Sequence, residues 1–255
     1  MDIFHAIILG IVEGITEFLP ISSTGHLILT SKLLGLQTTG FLKTFEIAIQ
    51  GGAIISVLAL TIKTLWGNIT LCKKILVAFI PTAVIGLLAY DYVKLFLGNP
   101  RIVAWALIIG GIIMILVEYL VKEKNTGEQS VETISYKQAF MLGLFQTIAL
   151  IPGVSRSGAT IIGGRIIRME RKTLVLFSFL LAIPTLGAAT GLDLLKTGFS
   201  FTPHEWTLLL VGGAISAIVA YFAMRWLLKF ISNHTFIPFG IYRIIVGILF
   251  LVFIL

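Results

Sequence analysis

Charge is scarce in this chain. Only 12% of its 255 residues are Asp, Glu, Lys or Arg, while 57% are hydrophobic. So apolar a composition excludes an ordinary soluble domain. There is one cysteine, Cys72, so no internal disulfide can form; it stands beside Lys73 and Lys74 and reads as a loop residue. Segments of about ten residues alternating apolar with polar are missing, which excludes an outer-membrane barrel. No basic leader or small-residue cleavage site follows Met1-Asp2, so the first apolar run reads as mature protein rather than a signal peptide. The net charge of +7 would suit nucleic acid in a soluble protein. Here no nucleic-acid partner is expected, and the cations read as anchors for helix ends at anionic lipid.

What is present is a series of apolar runs, several of them reaching the roughly 20 residues that cross a bilayer. The expected fold is an all-α polytopic membrane protein in one integral-membrane domain. Six spans are predicted: Phe45–Ile62, Ile75–Leu97, Ile102–Val121, Thr173–Leu195, Thr207–Phe230 and Phe236–Leu255. Two other runs stop short. Ile3–Leu19 ends at Pro20. Tyr136–Ile151 would be about 24 Å long at 1.5 Å per residue, less than the hydrocarbon thickness, and ends at Pro152. Short apolar pieces follow each, Leu27–Leu36 and Thr160–Met169. Helix, polar turn, short helix is the pattern of a re-entrant hairpin, tolerated at depth only where it is buried in protein or lines a wet cavity.

The two hairpins resemble each other. A slide of 133 residues aligns Ala6 with Ala139, Gly10 with Gly143, Ser22 with Ser155 and Gly25 with Gly158, and sets Glu13 opposite Gln146. Three spans follow each hairpin. We read an inverted repeat of two halves, residues 1–124 and 131–255, joined by a polar linker near 122–135. Three crossings per half turn the second copy upside down, and the tips of such inverted repeats meet at the midplane. Lysines and arginines divide unevenly. Lys63, Lys73, Lys74, Lys122, Lys124, Lys137, Arg165, Arg168, Arg171, Lys172, Arg225 and Lys229 fall on one side; Lys32, Lys43, Lys94, Arg101 and Lys196 fall on the other. The richer side is cytoplasmic, which puts both termini outside.

The chemistry concentrates at the two polar turns. A carboxylate or arginine at membrane depth costs roughly 2.5–3.5 kcal/mol on insertion scales, so its presence implies a task. Glu13 and Glu17 lie four apart on one helix face. They read as ligands of a divalent cation, Mg²⁺ or Ca²⁺, or alternatively as a pair facing water or bonded to an arginine. Ser22, Ser23, Thr24 and Gly25 precede a helix, where hydroxyls and free N–H groups form an anion cradle. His26 can act as base, acid or nucleophile. In the second turn Ser155, Arg156, Ser157 and Thr160 are candidate phosphate ligands, with Gly153 and Gly158 allowing close approach. The set Glu17, Ser22, Ser23, His26 and Arg156 suits phosphoryl chemistry on a lipid-borne phosphate. A lipid or anion transporter is the rival reading, argued from the inverted repeat.

At these residues the chain resembles the bacterial undecaprenyl-diphosphate phosphatase family, also called the bacitracin-resistance protein family. Residues 13–26 and 152–160 match its two motifs, and likeness extends through 45–50 and 177–184. The resemblance implies hydrolysis of undecaprenyl diphosphate to the monophosphate and inorganic phosphate. That recycles the lipid carrier for peptidoglycan and lowers sensitivity to bacitracin. It also implies a divalent cation, the bacterial inner membrane, and a site open to the outer face. The expected partners are the lipid substrate and the bilayer, with a homodimer as one option. By position, Glu13 and Glu17 fall in the family's acidic motif, Ser22, Ser23 and His26 at its hydroxyl and histidine positions, and Ser155, Arg156 and Thr160 in its phosphate motif. Whether serine or histidine attacks phosphorus stays open. Leu176, where the family usually has an acidic residue, and Gly51, where it has a bulky one, depart from the pattern and bear on local helix packing.

Overall fold

The computed structural model describes residues 1–89, 99–121, 130–197 and 200–253. They form helices with no strand among the described residues. In chain order these are α1 (Ile3–Thr16), α2 (Ser23–Leu33), α3 (Gly40–Leu65), α4 (Ile69–Leu88) and α5 (Pro100–Leu120). After them come α6 (Tyr136–Gln146), α7 (Arg156–Ile166), α8 (Arg171–Thr197), α9 (Pro203–Ile231) and α10 (Ile237–Phe253). Five of them, α3, α4, α5, α8 and α9, are long and apolar enough to cross a membrane. The chain is therefore a multi-pass membrane protein in its architecture. The sixth predicted span, Phe236–Leu255, corresponds to α10, described over Ile237–Phe253, and its last two residues, 254 and 255, lie outside the described residues. Residues Ala89 to Leu97 of the second predicted span fall largely outside the described residues, as do the polar linker at 122–129 and Lys94, Lys122 and Lys124.

Local chemistry sets the helix ends. The Asp2 carboxylate accepts from the His5 N–H and caps α1; that bond holds the carboxyl below its usual range. Ser135 and Gln138 make the equivalent box at the start of α6. Asn68 caps α4 by accepting from Leu71 N. The helix consequently begins at Ile69, six residues before the predicted span, and Cys72, Lys73 and Lys74 lie within it rather than in a loop. The first hairpin's leading helix ends at Thr16, before Pro20, and its second piece begins at Ser23 rather than Leu27. In the second hairpin α6 ends at Gln146 and continues as a 3₁₀ turn to Leu150, then α7 starts at Arg156 rather than Thr160. The serines thus sit at helix starts, where backbone N–H groups lack intrahelical partners.

Small residues let the helices meet. Gly10 and Gly14 of α1 face Gly212, Ser216 and Ala220 of α9; a Cβ on Gly10 would lie 2.7 Å from the Gly212 carbonyl. Gly143 of α6 presses as closely on Ala78 of α4. So α1 packs on α9 as α6 packs on α4, α3 packs on α8, and α5 packs on α10. Gly51 has room, since its Cβ would meet only Thr190 Cγ2 at 3.7 Å, and Leu176 packs between the two largest core clusters. The helices converge so that the α1–α2 and α6–α7 turns face each other.

Candidate active site

Ser22 and Ser155 share an unusual backbone. Their φ, ψ values are +73°, 94° and +76°, 120°, in a region that favours glycine. A non-glycine residue held there costs on the order of 1–3 kcal/mol and points to a functional constraint. Each immediately precedes an 11-residue helix, α2 or α7.

A cavity of about 260 Å³ lies between the turns. Glu17, Ser22, Ser23 and Thr24 line it from the first hairpin; Pro152, Gly153, Ser155 and Arg156 line it from the second. Gln50, Thr82, Gln146 and Thr185 add an uncharged polar wall from α3, α4, α6 and α8. None of these four was expected at the site, although Gln50 closes the family-like stretch 45–50 and Gln146 stands opposite Glu13; single Thr residues such as Thr82 in apolar helices carry no distinctive spacing.

Glu17 is the hub. Its Oε2 accepts from Ser23 Oγ at 2.6 Å, and its Oε1 accepts from Arg156 Nη2 at 2.9 Å. The first distance lies in the charge-assisted O–H···O⁻ range. Arg156 also donates from Nη1 to the Ser178 carbonyl at 2.7 Å and stacks its guanidinium 5.5 Å from the Phe18 ring. Its Nε is buried without a hydrogen-bond partner among the described residues. A second tie joins the hairpins where Ser157 Oγ donates to the Leu19 carbonyl at 3.0 Å. The ion-pair alternative therefore holds for Glu17.

Other candidates sit apart from the cavity. Thr160 is fully buried and its hydroxyl donates to the Arg156 carbonyl. Gly25 packs against Val103 and Leu107. Gly158 N donates to Ser155 Oγ, which lies 3.1 Å from Ser157 Oγ. His26 does not line the cavity. Its Nδ1 donates to the Ser22 carbonyl at 2.8 Å, and its Nε2 lies 2.8 Å from the Tyr242 hydroxyl. The two rings stack at 5.5 Å. Tyr242 and its neighbour Arg243 also escaped motif reasoning, although an arginine inside a terminal apolar run is itself a signal.

The residues present fit a divalent cation. Among the described residues both Glu13 oxygens are buried with no hydrogen-bond partner, one helical turn from Glu17. Hard oxygen donors suit Mg²⁺ or Ca²⁺. Among the described residues no group of three or more His, Cys, Asp or Glu is placed to hold a metal.

A polar, charged cavity inside an apolar bundle narrows the possibilities, and comparison with known proteins narrows them further. Residues 6–249 match the family model described as bacitracin resistance protein BacA. The chain belongs to that family. An undecaprenyl-diphosphatase of Wolinella succinogenes is 54% identical over 251 residues, 98% of each chain. Those of Persephonella marina and Aquifex aeolicus are 50% and 49% identical, with all of each chain covered. The matched residues include both turns.

Proposed function

We propose that this protein hydrolyses undecaprenyl diphosphate to undecaprenyl phosphate and inorganic phosphate. It thereby recycles the lipid carrier for cell-wall synthesis and confers bacitracin resistance. The observation that carries the reading is Glu17, held by Ser23 from one turn and Arg156 from the other at a polar cavity within an apolar bundle.

In this reading the diphosphate enters the cavity and its prenyl tail lies along exposed apolar helix faces. Ser23 Oγ attacks the terminal phosphorus while Glu17 accepts the hydroxyl proton. The bond from that phosphorus to the bridging oxygen breaks, and undecaprenyl phosphate leaves. Water then hydrolyses the phosphoseryl ester and releases phosphate. Arg156 neutralises charge on the transferring group. Ser155, Thr24 and the N–H groups at the α2 and α7 starts complete the anion cradle, while Ser157, expected among the phosphate ligands, is buried outside the cavity and ties the turns together through Leu19. Glu13 and Glu17 would hold Mg²⁺ or Ca²⁺, which when bound offsets charge on the phosphate oxygens. His26 steadies the first turn through the Ser22 carbonyl.

The same reading takes the fold as six spans plus two re-entrant hairpins, the halves 1–124 and 131–255 forming an inverted repeat. Support comes from the matched angles at Ser22 and Ser155, and at Gly35 (φ +67°) and Arg168 (φ +62°), each pair 133 residues apart. The protein lies in the bacterial cytoplasmic (inner) membrane, both termini and the cavity mouth facing outward.

Purified protein in detergent with Mg²⁺ should release phosphate from a long-chain prenyl diphosphate. Chelation with EDTA should abolish release and added Mg²⁺ or Ca²⁺ should restore it. Full activity in both Ser23→Ala and Arg156→Ala would end the assignment. Liposomes separate the rival: translocation of labelled prenyl phosphate without phosphate release would favour a transporter.

A further inference from the structure

Arg243 of α10 is fully buried, yet no carboxylate pairs with it among the described residues. All five of its N–H groups go to backbone carbonyls. Nη1 donates to Val154 at 2.8 Å and to Pro20 at 3.2 Å. Nη2 donates to Ala106 at 3.0 Å and to Gly153 at 3.2 Å, and Nε donates to Leu107 at 3.4 Å. Pro20 belongs to the first turn, Gly153 and Val154 to the second, and Ala106 and Leu107 to α5. One guanidinium thus binds both turns and the helix beneath them. Burying a charge with no counter-ion is costly, so the arrangement needs a return beyond packing.

The geometry points to Arg243 as a positioning residue for phosphate cleavage. It acts by locking the two turns in register so that the cradle at Ser155 faces the substrate. The physical link is the trans peptide. A carbonyl and the following N–H point in opposite directions across the peptide plane. The Val154 carbonyl is drawn to Arg243, so the Ser155 N–H is turned the other way. No hydrogen bond within the described residues occupies that N–H, and Ser155 lines the cavity. The same grip fixes Pro20, two residues before the strained Ser22 and three before Ser23. Lysine would keep the charge but has no planar five-donor fork, so it could not hold three segments at once.

This inference rests on the phosphatase reading, and two variants test it by two routes. Arg243→Lys should lower kcat for phosphate release about 100-fold, the scale of a misplacement of about 1 Å. Gly110→Ala leaves Arg243 in place but crowds it: the new Cβ would contact Nη2 and lie 2.9 Å from Cζ. Alanine is the better helix former, so α5 should persist. Its kcat should still fall, by about 10-fold. Affinity for orthophosphate, read by calorimetry on the folded proteins, should weaken about 10-fold in both variants as cradle donors are lost. Both variants within twofold of the parent in kcat and orthophosphate affinity would overturn the inference. If the parent itself released no phosphate, the phosphatase reading would fail, and the orthophosphate measurement would still decide the role of Arg243. If Arg243→Lys fails to fold, Gly110→Ala alone decides.

Discussion

The two turns share a backbone and divide the chemistry. Ser22 and Ser155 adopt nearly the same strained angles, and each is followed by a helix of 11 residues. The side chains that carry charge or chemistry differ between equivalent positions. Glu13 stands opposite Gln146, and His26 opposite Ala159. Most telling is the pair directly after the strained serines, Ser23 and Arg156. Both reach the same carboxylate, Ser23 to Oε2 of Glu17 and Arg156 to Oε1. One turn supplies acid groups and a hydroxyl; the other supplies a cation and a glycine-bordered cradle. Similar geometry with complementary charge lets two turns form one site that neither could form alone.

The comparison can be broken by altering the shared hub. Glu17→Gln removes the proposed proton acceptor and the partner of a largely buried arginine. Phosphate release should fall by about 10³-fold, since nucleophile, base and orienter act as a unit. Arg156→Lys keeps the charge but loses the second donor of the fork, and should cost about 10²-fold in kcat. Tyr242→Phe removes one hydrogen bond from His26. That bond contributes about 0.5–1.5 kcal/mol, so activity should fall by no more than roughly 10-fold. At the helix contacts, Gly10→Ala forces a Cβ onto the Gly212 carbonyl and should destabilise by about 1–3 kcal/mol. The smallest effect belongs to Gly213→Ala, whose Cβ meets nothing within 4 Å. Its thermal midpoint should hold or rise, with activity unchanged.

Much of this site was legible in residues alone. Carboxylates and an arginine at turns between apolar runs are costly, and that cost marked both turns before any geometry was known. The pairing of a turn carboxylate with an arginine was one of the alternatives the residues left open, and the structure shows it between Glu17 and Arg156. Other parts were not legible. Arg243 sits inside an uninterrupted apolar run, and only the fold reveals that its targets are carbonyls far away in sequence. Gln50, Thr82 and Gln146 reach the cavity through helix packing, which leaves no local pattern. His26 looks the same in sequence whether it faces a cavity or, as here, stacks on Tyr242. The early start of α4 depended on one cap, Asn68, that a hydrophobicity window passes over. Lone polar residues in apolar helices are where pattern reasoning stops and three-dimensional packing decides.

The most direct test of the account is a double-mutant cycle on phosphate release with Ser23→Ala and Arg156→Lys. Because both residues act through Glu17, the double variant should lose far less than the product of the two single losses. A double variant whose loss equals that product would show two independent groups and would contradict a single site shared by the turns.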